Sequence, residues 1–184
     1  RDTIHVYEKD SFKKIVTLHP LSNVPNSLHH INDLCIMKNN LVFSYFSLSG
    51  HWRRGVLDGG IAMLNLDDLT APPTVLVKDL WMPHSVRFIN GKLCYLNSMP
   101  GELWIGNQNV EGSFPGFARG LAYDNQYYYI GLTEMMYATR LINIRNNTMC
   151  NAGFFLFDPN LKTSKFYSTP DLMNVHSLLI AGDY

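Results

Sequence analysis

Four polar residues stand at the start of similar apolar runs: Asn32, His84, Arg119 and His176. When the hairpin patterns around them are aligned, the four fall at equivalent positions, at uneven intervals of between 35 and 57 residues. Arginine offers a planar fork that binds a carboxylate or phosphate, and histidine adds a donor that titrates near neutral pH. Together they predict a site for an acidic small molecule or saccharide.

Two long segments without a strand pattern can add to such a site. SLSGHWRRGVLDGG contains Trp52 and Arg53, and TEMMYATRLINIRNNTMCNA follows Leu132, so the second segment includes Glu134 to Arg140. Binding residues concentrate on loops held by a rigid scaffold, and an indole can stack on a sugar ring. We therefore add Trp52 and Arg53 to the predicted ligand-binding residues. The competing interpretation is that the polar residues only satisfy strand ends and ordered water in a narrow channel.

A metal centre is an alternative use of the same residues. His84 and His176, with His30, could ligate zinc, manganese or iron, and Asn32 or Asp33 could supply an oxygen ligand. The arginine of the set opposes this, because it places a fixed positive charge beside the cation unless a substrate anion bridges them. Such a metal would support lyase, epimerase or hydrolase chemistry on an acidic saccharide. The leading prediction has no cofactor, and whether the protein is an enzyme stays open.

Other catalytic motifs are missing from the sequence. It contains no Gly-x-Ser-x-Gly elbow, Walker loop, Cys-x-x-Cys pair or Rossmann fingerprint. Cys150 has no identifiable partner histidine, so we interpret it as a small buried residue rather than a nucleophile.

The charge balance restricts the partners. Fifteen basic and fifteen acidic residues give a formal net charge of zero, which argues against a general nucleic-acid or anionic-membrane surface. No apolar run approaches the roughly 18 residues that span a bilayer. Three cysteines are too few for a disulfide framework, which favours a reducing, cytoplasmic setting. The predicted partner is thus an acidic small molecule or saccharide, without nucleic acid or membrane.

The elements that position these residues are predicted to be β-strands. Short runs rich in Val, Ile, Leu, Phe and Tyr alternate with turn residues such as Asn39-Asn40, Asn90-Gly91 and Asp124-Asn125, which is typical of an antiparallel all-β domain. The predicted strands are DTIHVYEK, KKIVTL, NDLCIMK, LVFSYFSL, GIAMLNL, TVLVKDL, SVRFIN, KLCYLNS, ELWIGN, GLAYDN, YYYIGLT, GFFLFDP, SKFYST and HSLLIAG.

These strands group into repeats that indicate a β-propeller. Four strands in roughly 40 to 50 residues make one blade. The sequence predicts one propeller-like domain over residues 1–184, with about three to four blades of an incomplete ring, completed by a missing chain segment or by a homo-oligomer. A β-sandwich is the competing all-β fold. In a propeller the first residue of each innermost strand lies at the channel mouth, so the four polar residues would form an axial pocket. A scaffold that binds proteins through its faces and edges is a further alternative function.

Several segments resemble a known family. They are MPHSVRFINGKLCYLNSMPGELW, FPGFARGLAY, YIGLT, LHHIND, the HWRR and DGG stretch with Trp52, Arg53, Gly59 and Gly60, and MCNAGFFLFD with Cys150 and Gly153. The chain resembles, from about residue 27 to 184, the later part of the uncharacterised bacterial propeller-like proteins labelled DUF4915 and of a related group. The resemblance implies a WD40-like or propeller-like fold and leaves the biochemical role open.

Overall fold

The computed structural model describes residues 2–22, 28–106, 109–134, 138–141 and 147–182. The described chain is all-β, with short 3-10 turns at Trp52–Arg54 and Ala138–Leu141. Its strands are β1 (Ile4–Tyr7), β2 (Lys14–Leu18), β3 (Ile31–Met37), β4 (Asn40–Tyr45), β5 (Gly59–Asn65), β6 (Thr74–Leu80), β7 (His84–Ile89), β8 (Lys92–Asn97), β9 (Glu102–Ile105), β10 (Asn109–Ser113), β11 (Phe117–Tyr123), β12 (Tyr128–Thr133), β13 (Gly153–Asp158) and β14 (Thr163–Ser168).

The strands form antiparallel sheets in which neighbours in sequence pair with each other. Three sheets have four strands, in the orders β3-β4-β5-β6, β10-β9-β8-β7 and β11-β12-β13-β14, and β1 pairs with β2 alone. Four-stranded antiparallel sheets of consecutive strands are the blades of a propeller. The predicted all-β, propeller-like fold class is thereby confirmed.

Two strand predictions differ from the structure. HSLLIAG was predicted as a strand, but residues 176–182 contain none and join none of the sheets of the described residues. The polar segment β10 was not predicted, because its sequence, NVEGS, has no apolar alternation. It is a strand because it completes the outer edge of its sheet against β9, from Asn109 opposite Ile105 to Ser113 opposite Glu102.

The chain divides into two compact units, Arg1–Leu80 and Trp81–Tyr184. The first contains the β1-β2 pair and the sheet β3 to β6, and the second contains the other two sheets. The single domain over residues 1–184 stays a prediction.

Each unit has its own apolar core. In the first, alternate residues of β4, Leu41, Phe43 and Tyr45, pack with Ile4 and Leu18 of the β1-β2 pair. Alternation places these three side chains on one face of the sheet, as the period of a strand requires. The paired strands β1 and β2 therefore cover that face.

The core of the second unit lies between its two sheets. Cys94 and Leu96 of β8 pack with Leu121 of β11 and with Ile130 and Leu132 of β12. All five are almost completely buried, so truncation of a leucine here to alanine should cost about 2–5 kcal/mol. This packing fixes β11 beside β7 and β8 and so places the first strands of the two blades next to each other.

The first strand of each blade begins with a bulge. The register shifts between Ile31 and Leu34, between His84 and Arg87, and between Ala118 and Leu121. A bulge re-aims side chains at the end of a strand. The predicted site residues Asn32, His84 and Arg119 all lie at or within these irregular starts.

Candidate functional site

His84 is buried at the start of β7. Its Nδ1 lies 3.0 Å from the carbonyl oxygen of Met82 and 2.8 Å from the hydroxyl of Ser98, and its ring meets Phe117 edge-on at 5.5 Å. A carbonyl oxygen only accepts, so this contact assigns the proton to Nδ1. Met82 and Ser85 have positive φ values of 54° and 58°, a backbone conformation that is unfavourable for these residues. The hydrogen bonds of His84 therefore stabilise this turn.

In the second unit, the predicted site residues His84, Arg119 and His176 lie next to residues that contact each other. We call the place formed by these three residues the edge. The Gly120 N–H donates to Ser85 Oγ at 2.9 Å, so the residues after Arg119 and His84 touch. Gly120, at φ 88°, also approaches the next segment, because a Cβ built there would lie 3.2 Å from the carbonyl carbon of Ser177. His84, Arg119 and His176 each precede one of these three contacting residues. The three positions that are equivalent in the sequence repeats are therefore neighbours in the structure.

The three differ in exposure. His84 is buried, Arg119 is half-buried and His176 is exposed. The Nδ1 atom of His84 is bonded to Met82 and Ser98, and a contact of His84 with a ligand stays a prediction.

The segment that carries His176 is anchored to β12 by its backbone. Thr133 Oγ1 donates to the Val175 carbonyl at 2.8 Å and accepts from the Val175 N–H at 3.1 Å. The Glu134 N–H donates to the Met173 carbonyl at 3.0 Å. Gly131 leaves the required space, since a Cβ there would lie 2.2 Å from the Arg119 carbonyl oxygen and 2.5 Å from Val175 Cγ1. The anchored segment therefore runs directly over β12.

Asn32, in the first unit, lies within the bulge of β3. Ser44 Oγ, which is completely buried, donates to Asn32 Oδ1 at 3.0 Å. The same hydroxyl accepts from the Asp33 N–H at 3.3 Å. These hydrogen bonds stabilise the bulge of β3. A contact of Asn32 with a ligand stays a prediction.

Trp52 and Arg53 belong to an aromatic cluster of the first unit. His30 stacks on Phe46 with ring centroids 4.2 Å apart and meets Trp52 edge-on at 5.0 Å. The Arg53 guanidinium lies 5.3 Å from the centroid of the Trp52 ring, within cation–π distance. Trp52 is buried and Arg53 is exposed. Burial leaves little of the indole face for the sugar stacking that the sequence suggested.

The carboxylate of Asp58 holds the loop between β4 and β5 in place through hydrogen bonds. Ser47 Oγ donates to Asp58 Oδ1, and the Ser49 N–H donates to Asp58 Oδ2 at 2.9 Å. Burial alone would raise the pKa of Asp58, but the hydrogen bonds from Ser47 and Ser49 outweigh it and hold that pKa below its usual value. The carboxylate thus stays ionised and fixes the loop that carries Trp52 and Arg53.

The second predicted loop is described only in part. Of the residues from Glu134 to Arg140, positions 135–137 lie outside the described residues. Cys150, which the sequence placed among small buried residues, is instead exposed. That prediction is wrong because residue 150 lies outside the strands, before the start of β13, at an exposed position.

The metal alternative gains no ligand set from the described part of the chain. There, no group of three or more His, Cys, Asp and Glu side chains is placed to hold an ion. His84 and His176 belong to the second unit and His30 to the first.

Sequence reasoning missed Arg87 and Thr133. Arg87 is half-buried near the end of β7, and Thr133 is the buried anchor of the segment before His176. For Arg87 a signal existed, a lone cation in the apolar run SVRFIN. Thr133 had none, because its partner lies 42 residues away.

Comparisons with known proteins address the family. In the described ranges, no helix has the length and apolar character needed to cross a membrane. A search of curated proteins finds no match. The model of a domain of unknown function, DUF4915, matches residues 5–154, which begins before the segments quoted for the resemblance and ends before His176. Because this match covers most of the 184 residues, the chain belongs to the DUF4915 family.

Proposed function

We propose that the protein is a binding domain that recognises an acidic small molecule or saccharide at the edge formed by His84, Arg119 and His176. One observation carries the proposal. The three contacting segments, residues 83–86, 117–120 and 174–177, contain one arginine and two histidines and no acidic residue. A protein with zero net charge thus concentrates basic groups in one place, and a local field of one sign attracts the opposite charge.

The roles follow from the positions. Arg119 supplies the fork for a carboxylate or phosphate, and His176 adds a donor from the exposed side. His84 holds the start of β7 through Met82 and Ser98 and keeps the edge rigid. A site on such a scaffold loses little entropy when the ligand binds.

The experiment titrates 15N-labelled protein with sodium glucuronate and, separately, with inorganic phosphate. We expect amide shifts at residues 84–85, 119–120 and 176–177. The two probes show whether the site prefers a sugar acid or a bare anion. Added salt should weaken binding, because exposed charges are screened.

Matched variants test the residues. Arg119→Gln should weaken binding by about tenfold, the worth of a charged hydrogen-bond pair, and Arg119→Lys less. His176→Gln, at an exposed position, should fold normally and weaken binding more modestly. Lys165→Gln removes an exposed charge of β14 and should have no effect. Equal binding by wild type and Arg119→Gln, or no shift at millimolar probe, would refute the proposal. The metal-assisted enzyme and the protein-binding scaffold stay predictions.

A further inference from the structure

A cavity lies at the other end of the same strands and uses none of the residues of the proposed edge. Its volume is about 410 Å³, within the range of small-molecule sites. It is formed by the ends of β7 and β11 and by the segment that follows His176. The lining comprises residues 87–90, 121–123 and 178–180, with Asn125.

Arg87 is the one charged side chain of this lining. It is half-buried, and its Nη1 donates to the Val86 carbonyl at 3.4 Å, which is a long hydrogen bond. Arg87 forms no ion pair with any residue that the structure describes. A partly buried guanidinium that lacks a carboxylate gains free energy when an anion enters, because burial of a charge is costly without a partner.

Most of the other residues of the lining have apolar side chains. Leu121 is buried, and Leu178 and Ile180 are half-buried beside it. Besides Arg87, the polar side chains of the lining are those of the turn residues Asn90 and Asn125 and of Tyr123. The apolar side chains can pack against the hydrophobic body of a ligand.

From this combination we propose that the cavity binds a small carboxylic acid with a hydrophobic body. The carboxylate pairs with the Arg87 fork, and the apolar part packs on the half-buried Leu178 and Ile180. The planar guanidinium matches a carboxylate with two parallel hydrogen bonds, which favours this head group.

The test is calorimetric titration of the whole chain with 2-naphthoate and, as a neutral match, 2-naphthalenemethanol. Wild type should bind the naphthoate more tightly than the alcohol. Arg87→Gln should weaken naphthoate binding by about tenfold or more and leave the alcohol unchanged. Lys92→Gln removes an exposed charge from the same hairpin, outside the cavity, and should change neither.

A second variant does not depend on the folding of Arg87→Gln. Leu179 lines the cavity and is 74% exposed, so Leu179→Asp should fold and place a repelling carboxylate at the rim. It should also weaken naphthoate binding. Arg119→Gln should leave the naphthoate-induced amide shifts at the cavity residues intact, which separates this cavity from the proposed edge.

Three results would overturn the inference. They are failure of wild type to bind millimolar naphthoate, equal losses in Arg87→Gln and Lys92→Gln, and equal affinity for the acid and the alcohol. The absence of naphthoate-induced amide shifts at residues 87–90, 121–125 and 178–180 would also overturn it.

Discussion

Replacement of Thr133 by valine tests how the segment that carries His176 is held. The two side chains have nearly the same shape, so the change removes two hydrogen bonds and leaves the packing similar. In the native protein the Thr133 hydroxyl serves both the N–H and the carbonyl of Val175, at 3.1 and 2.8 Å. Thr133 is completely buried and Val175 nearly so, and water cannot replace the lost partner without local opening.

The magnitude follows from these two bonds. At about 1 kcal/mol net for each hydrogen bond, their loss favours opening of residues 173–182 by about 2 kcal/mol, or roughly 30-fold. The loss of free energy would be larger if the N–H and carbonyl of Val175 stayed buried without partners. It is limited because these groups bind water when the segment opens. Thr133→Ser keeps the hydroxyl and loses one methyl group, which costs about 0.8 kcal/mol, or roughly 4-fold.

Hydrogen exchange measured by mass spectrometry is the assay. Peptides that cover residues 173–182 should exchange much faster in Thr133→Val than in Thr133→Ser, whereas those that cover β13 should change little. Urea unfolding of each variant checks that global opening does not account for the difference. Equal exchange in the two variants, or no change in Thr133→Val, would show that the hydroxyl does not hold the segment.

Three further predictions concern other parts of the chain. Asp2 accepts the N–H groups of residues 28–30 at 2.6 to 2.9 Å, so Asp2→Ala should lower the free energy of unfolding by about 3 kcal/mol in urea titrations, while Asp10→Ala at an exposed position should not. The pKa of Asp58 is lowered in the folded state, so its contribution to stability is present above the ordinary carboxyl pKa and is lost as pH falls below it. Asp58→Asn should therefore make urea midpoints less pH-dependent between about pH 5 and 2, and an unchanged slope would contradict this. Burial raises the pKa of the Cys94 thiol to about 11, so iodoacetamide at pH 8 should modify the exposed Cys150 in native protein and Cys94 only after unfolding, as peptide mass spectrometry would show.

Much of the fold could be predicted because local sequence patterns determine strands and hairpin turns. Leu41, Phe43 and Tyr45 alternate along β4, and that period places them on one face of a sheet. Asn90 and Gly91 both adopt positive φ, at 50° and 72°, as a two-residue hairpin turn requires. The dipeptide Asn-Gly predicts such a turn from the sequence. Four such strands in succession suffice to indicate a blade.

The candidate site was predictable only as a set of equivalent positions. The repeat pattern aligned His84, Arg119 and His176, because each precedes a similar apolar run. It carried no information on exposure, and the structure buries the first, half-buries the second and exposes the third. Burial depends on what packs above a strand end, which is a property of distant segments.

The sequence by itself determined the all-β class, most strand positions and the hairpin turns, since these depend on residues within a few positions of each other. Tertiary structure decided the rest. Residues 176–182 have a strand-like composition but join none of the sheets that the described residues form, whereas β10 has a poor pattern and pairs because β9 offers an edge. The bonds from Gly120 to Ser85 and from Thr133 to Val175 join residues 35 and 42 positions apart. Such contacts form only when sheets pack, so no local period predicts them.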